Sequence, residues 1–286
     1  MSLDFPPLYS ISSDSITRYY EYPDRGKKLI KSEKSRANLD VAKLTGSISY
    51  NTRKMLRKKL QAYFDCMYSV GAYYRSKHKI LHVIVTLSLC AKQCHSDNEI
   101  KKECLTRWLN LAVSKYSIRF YYWIAEKQKN ENIHFHILTD RFLDQKWVRD
   151  AWNSRLEKLG YVDTFFKLHG HREPNSTDIQ AIKSLALSSK YVTKYTSKCD
   201  QQGDLEGRLW GCSDCFRSFD KYKMYGSHDY DLKLQEWIER GVVKIFEHEH
   251  CIALFGRIRE LVQKECPNLH KSIRIHYQSV ADKLYV

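Results

Sequence analysis

The stretch that most limits what this chain can become is Glu131-Asn-Ile-His-Phe-His-Ile-Leu-Thr-Asp140. His134 and His136 stand two residues apart, with Ile133, Phe135 and Ile137 interleaved. Side chains at i and i+2 of a β-strand leave one face, and those between them leave the other. The alternation predicts a strand over 133–139 that puts both imidazoles on one side and an apolar row into a core. Two exposed surface histidines satisfy the same spacing. Two imidazoles on one rigid strand are also a ready pair of ligands for a divalent metal. The rest of the chain decides between these readings.

At 286 residues the chain can bury a substantial core, as one large domain or one domain with extensions. No run of about 18 apolar residues exists, so no membrane-spanning helix and no membrane partner are expected. The start, Met1-Ser-Leu-Asp-Phe-Pro-Pro7, lacks a basic region followed by an apolar segment. A secretory signal is therefore not expected, and the cytoplasm of a bacterial host cell is the expected location. The formal charge of +15 calls for a polyanionic partner. The 20 tyrosines and 6 tryptophans offer rings on which unpaired bases can stack. The nine cysteines, at irregular spacings, read as reduced and mostly buried thiols. Cys212-Ser-Asp-Cys215 alone has zinc-like spacing, and a zinc site there needs two more ligands from elsewhere in the chain.

Residues 1–50 show no clear period and are punctuated by Pro6, Pro7 and Pro23, which predicts a loosely ordered arm. Residues 51–75 read as a helix capped by Asn51 or Thr52. Arg53, Lys54, Arg57, Lys58 and Lys59 cluster on it, as a solvated face or as contacts to DNA phosphates. Ile80 to Leu89 is β-branched and apolar, a strand buried on both faces. Helical spacing follows over 98–115, then a strand from Ile118 to Ala125 and a polar connection over Lys127 to Asn132. The histidine strand returns antiparallel beside it. Asp144 is a candidate cap for a helix over 145–159 that ends at Gly160. Tyr161 to Leu168 and Thr177 to Ile182 are strand candidates, while Leu232 to Ile238 and Ile252 to Val262 read as helices. This order predicts an α+β fold: a central antiparallel sheet with helices packed on it. Residues 1–77 form the basic N-terminal arm and helix, 78–200 the central domain, and 201–286 a helical C-terminal extension. Glu126, at the end of the strand beside the histidines, can complete a His-His-Glu set suited to Mg²⁺ or Mn²⁺. Glu131, in the turn, is its rival.

The second informative stretch is Leu185-Ala-Leu-Ser-Ser-Lys-Tyr-Val-Thr-Lys-Tyr-Thr-Ser-Lys198. Tyr191 and Tyr195 are four apart, so a helix stacks them on one face a turn from each other. Lys194 and Lys198 each follow a tyrosine by three. A phenol, with a pKa of about 10, is a poor nucleophile at neutral pH. A neighbouring ammonium favours the phenolate or neutralises a phosphate, and a divalent metal polarises a phosphoryl oxygen. An amphipathic surface helix with two half-buried tyrosines has the same spacing.

Taken together, His134-Phe-His136, Glu126 and Tyr191-Val-Thr-Lys-Tyr195 resemble the HUH endonuclease superfamily. They are most similar to the rolling-circle replication initiators of small single-stranded-DNA phages, of the microvirus gene A and filamentous-phage gene II kind. The resemblance covers about residues 78–200. Gly207-Arg-Leu-Trp-Gly-Cys-Ser213 also looks like the tail that follows the tyrosine helix in such proteins. The resemblance implies that His134, His136 and Glu126 hold a divalent metal on the scissile phosphate of single-stranded origin DNA. One tyrosine would attack, leaving a 5′-phosphotyrosine and a free 3′-OH for a host polymerase, and the second tyrosine would act after a round of synthesis. Lys194, with Lys198 as its twin, would support cleavage. No Gly-x4-Gly-Lys-Ser/Thr phosphate loop occurs in the chain, so a separate host helicase is implied. A HUH transposase or relaxase would use the same chemistry. A non-enzymatic DNA-binding protein with zinc at Cys212 and Cys215 is the reading from a different class.

Overall fold

The computed structural model of the protein describes residues 6–20, 48–182, 205–248 and 251–286. β1 (Leu8–Ile11) and β2 (Ser15–Tyr19) form a hairpin, followed by α1 (Tyr50–Ser69) and α2 (Gly71–Lys77). β3 (Val83–Ser88) leads to α3 (Asp97–Glu99), which continues through a π-helical stretch, Ile100–Thr106, into α4 (Arg107–Tyr116). Next come β4 (Tyr121–Lys127), β5 (Ile133–Thr139), α5 (Gln145–Lys158), α6 (Tyr161–His169) and β6 (Thr177–Ala181). Beyond residue 205 lie β7 (Trp210–Cys212), a 3-10 turn (Asp214–Ser218), β8 (Tyr222–Tyr225) and α7 (His228–Glu239). The chain closes with β9 (Val243–His248), β10 (Cys251–Gly256), α8 (Ile258–Glu265) and α9 (Pro267–Tyr285).

The architecture is α+β, with two five-stranded sheets ordered β6-β3-β5-β4-β7 and β8-β1-β2-β10-β9. Every pairing in both is antiparallel. In the first sheet helices cover both faces. Phe135 and its alternate neighbours point to the side where Trp152 of α5 packs edge-on, 6.1 Å from the Phe135 ring. On the histidine face, at the far end from the imidazoles, Tyr63 of α1 stacks on Phe120 at 3.5 Å and Tyr122 stacks on Phe216. Such aromatic pairs add about 0.5–1.5 kcal/mol each beyond their buried area. α1 is seated there by Leu56, Leu60, Tyr63, Phe64 and Met67, a buried stripe at helical spacing.

Several local expectations are corrected. The arm expected over residues 1–50 instead supplies β1 and β2, which sit inside the second sheet between β8 and β10. Their sequences do alternate around a Ser12-Ser-Asp14 turn, but the partners that settle them lie more than 200 residues away. The cap of α1 is Ser49, whose Oγ accepts the Thr52 N–H at 3.3 Å, rather than Asn51 or Thr52. Tyr161 to Leu168 is a helix, not a strand. Gly160, at φ 77°, ends one helix and turns directly into the next, and Tyr161 and Val162 of the new turn reach the core. The helix expected over Ile252 to Val262 is split at Gly256. Its first half pairs with β2 and β9 as a strand, and only the second half coils. The C-terminal extension is therefore not only helical: it supplies β8, β9 and β10.

Candidate metal centre

β5 forms where it does because each of its residues has a settled side. Ile133, Phe135 and Ile137 are fully buried, and the histidines leave the other face. In the β4–β5 register Glu126 lies directly opposite His134, so its carboxylate shares the histidine face. Glu126 Oε1 lies 2.6 Å from Nε2 of His134 and 2.6 Å from Nε2 of His136, and the two Nε2 atoms are 3.0 Å apart. The three side chains are 10–12% exposed. Lone pairs of two imidazoles and a carboxylate repel at this range, so the triangle needs a proton or a cation among them. Ligands at about 2.0–2.1 Å in an octahedral Mg²⁺ shell stand about 3 Å apart along an edge, which fits a triangle of this size. Among the described residues this is the one group of three or more His, Cys, Asp or Glu whose donor atoms converge. Glu131 is not part of it: it sits exposed in the β4–β5 turn at φ 63°.

The cluster has support that sequence reading missed. Thr86 of β3 is the register partner of His136, and its Oγ1 lies 3.1 Å from His136 Nδ1. With Nδ1–H directed at that oxygen, Nε2 keeps its lone pair for the cluster. At the open end of the hairpin the Gln93 side chain accepts the Ile133 N–H at 2.7 Å, while the Asn132 side chain accepts the Gln93 N–H and donates to the Ala91 carbonyl. Lys127, next to Glu126, is paired at 2.9 Å with the buried Asp97. Burial pushes the Asp97 pKa up, but hydrogen bonds from Gln93, Lys127 and the Glu206 N–H outweigh it and hold the carboxyl below its usual range. Thr86 could have been found from its place on the neighbouring strand once register was known. Gln93, Asp97 and Asn132 carry no sequence signal, because only the fold brings their loops together.

Tyr191, Lys194, Tyr195 and Lys198 lie outside the described residues. The ends of that segment are anchored on the first sheet. Ile182 N donates to the His82 carbonyl at 2.9 Å. At the other end Glu206 N donates to Asp97 at 3.1 Å, and Lys101 donates to the Glu206 carbonyl. Residues 183–204 thus join β6 to β7, the two opposite edges of the sheet that carries the histidines.

The basic cluster of α1 has no described contact with the histidine site. Lys54, Arg57 and Lys58 are exposed and Arg53 is partly buried. Lys59 differs from the expectation of a DNA contact: its ammonium is 2.8 Å from both Asp220 and the Arg217 carbonyl, tying α1 to the segment after the 3-10 turn. Arg259, in the stretch expected to close the core or grip DNA, closes the core. It is 2.8 Å from the buried Asp65 and lies over the Tyr68 ring. Cys212 and Cys215 join no convergent donor group among the described residues. Burial pushes both thiols up, Cys215 to about 11, away from the thiolate that zinc takes. No helix of the described residues is long and apolar enough to cross a membrane.

A family model for replication-associated proteins of the ORF2 and gene II protein type matches residues 82–200. That range contains Glu126, both histidines and both tyrosines, and the match supports a role in replication initiation. No curated protein matches the chain. Among solved structures, the hypothetical protein ORF119 from Sulfolobus islandicus rod-shaped virus 1 is similar at 16% identity, over 50% of this chain and 99% of that one, with a TM-score of 0.26. A likeness at that level bears on neither fold nor activity.

Proposed function

We propose that the protein is a metal-dependent, tyrosine-using nickase and strand transferase that opens single-stranded DNA at a replication origin to start rolling-circle synthesis. The observation that carries this reading is the convergence of Glu126, His134 and His136 on one sheet face, inside the range matched by the replication-associated family. These three residues would hold Mg²⁺ or Mn²⁺, which when bound supplies charge neutralisation and polarisation at a phosphoryl oxygen.

The nucleophiles are Tyr191 and Tyr195. The edge-to-edge width of a five-stranded sheet is about 19 Å. A helix over 185–198, as the sequence predicts, is about 21 Å long. A path across the histidine face would set both phenols over the cluster. In cleavage one phenolate oxygen forms a bond to phosphorus and the bond from phosphorus to the 3′-oxygen breaks. The leaving oxygen takes up a proton to give the free 3′-OH, and the 5′-phosphate stays on the tyrosine. Lys194, with Lys198 beside the second tyrosine, favours the phenolate by its charge. The exposed cations of α1, Lys54, Arg57 and Lys58 with Arg53 beside them, hold backbone phosphates. A host polymerase extends the 3′ end and a host helicase separates the strands. The second tyrosine then cleaves the regenerated origin, and the first linkage is resealed by the 3′-OH.

The test is a cleavage assay with single-stranded oligonucleotides tiled across the DNA that flanks this gene. Protein and Mn²⁺ are added and the products run on a denaturing gel. A covalent adduct that requires the metal and is absent from the Tyr191→Phe, Tyr195→Phe double variant supports the proposal. Failure to form any adduct across the whole replicon, with Mn²⁺ bound by the wild-type cluster, overturns it.

A further inference from the structure

The second sheet has two unlike faces. Tyr9, Ile11, Ile16, Val243 and Leu254 point to one, where they make a core with Tyr230, Leu234 and Trp237 of α7 and with α8. The opposite face is built from the alternate residues. Leu8 and Ala253 are its buried floor, and large rings stand open towards its two edges. Phe246 is 51% exposed, Phe255 44% and Tyr225 63%. Phe246 and Phe255 meet edge to face with ring centroids 5.4 Å apart. Lys244 is the register partner of Phe255, and Lys223 lies across the sheet on the same side. No Asp or Glu occupies any register position of this face on the five strands.

We infer that this open face is a platform for single-stranded DNA, separate from the histidine cluster. Exposed rings on a pleated surface offer stacking sites to unpaired bases of any sequence, and cations between them meet the backbone phosphates. Charge selects the occupant. A face with lysines and no carboxylate complements a polyanion, whereas a second copy of the same face would set lysine against lysine. The rings also suit an unpaired strand better than a duplex, whose bases present no free π-face. The inference concerns binding alone and holds whether or not the histidine cluster cleaves.

The test uses the full chain with a fluorescein-labelled oligothymidine of about 20 nucleotides in EDTA, read by anisotropy, so that cleavage plays no part. Phe246→Ala with Phe255→Ala should weaken binding about tenfold or more, while Phe246→Trp with Phe255→Trp should retain it. Lys244→Ala should flatten the slope of log affinity against log salt by about 0.7. The His134→Ala, His136→Ala variant should bind as wild type, and an oligothymidine bearing 5-iododeoxyuridine should crosslink to the peptides of β9 and β10. The double Phe→Ala variant binding at wild-type affinity, with an unchanged circular dichroism spectrum, overturns the inference. So does a wild-type dimer that this variant converts to monomer with no change in DNA affinity.

Discussion

The two sheets have the same strand number and the same antiparallel pairing, yet they differ in how the chain builds them and in what they leave uncovered. The first is assembled from residues 83–212 and has helices against both faces, with one ionisable cluster near its histidine end. The second joins residues 8–19 to residues 222–256 and, among the described residues, leaves large rings open on one face. A sheet covered on both sides can hold buried side chains to sub-ångström tolerance, which a ligand cluster needs. A sheet with an open face can only offer a surface. That difference places chemistry on the first and contact on the second.

The largest break in that contrast is chemical. On the proposed function, Glu126→Gln or His136→Ala should remove Mn²⁺ binding, read by titration calorimetry, and lower adduct formation by about 100-fold or more. Melting temperature should barely move. The Phe246, Phe255 double variant should leave adduct formation on a saturating oligonucleotide unchanged. Loss of both activities in either variant would erase the division of labour.

The next effect is a pH dependence confined to the first sheet's packing. His82 is buried, 2.7 Å from Tyr63 Oη. Burial, helped by the charges of Arg75 and Arg141, pushes its pKa down to about 3. The unfolded chain then takes up a proton near the ordinary value of 6.5 that the native state refuses until about 3. Stability is full above about pH 6.5 and falls as pH drops through that window, by up to about 5 kcal/mol. Urea melts at about pH 7 and about pH 4 should show the loss, and His82→Gln should shrink it.

Packing gives a third test. Phe135→Ala removes the ring that seats the histidine strand on Trp152 and should cost about 3–5 kcal/mol. A smaller loss is expected from Gly211→Ala. A Cβ there would press into the indole of Trp123, its register partner, and the shift needed should cost about 1–3 kcal/mol. The smallest effect should come from the open face, where Phe255→Ala should stay within about 0.5 kcal/mol. Equal costs for Phe135→Ala and Phe255→Ala in denaturant melts would mean that the second sheet is covered in solution.

How much can be read in advance follows the range of the interactions. β5 is legible to the residue, Ile133 to Thr139, because its alternation is complete within seven positions. α5 is legible from its Asp144 cap, whose side chain accepts the Trp147 N–H at 2.7 Å. Tyr161 to Leu168 misleads, because a short apolar run suits a strand as well as a helix until Gly160 sets the backbone direction. β1, β2 and β10 escape for a different reason: each is short, and hydrogen-bond partners come from the far end of the chain. Glu126 is marked by its position but cannot be separated from Glu131 without register.

Local pattern alone therefore carries the α+β class, the histidine strand and the identity of the side chains that can do chemistry. These depend on periodicity and caps, which act over a few residues. Three facts about the molecule come from long-range contacts instead. They are which carboxylate meets the histidines, that Lys59 and Arg259 are engaged by internal partners, and that a second sheet with exposed rings exists. Register, ion pairing and the covering of a face join distant segments, and no local pattern encodes which segment will arrive.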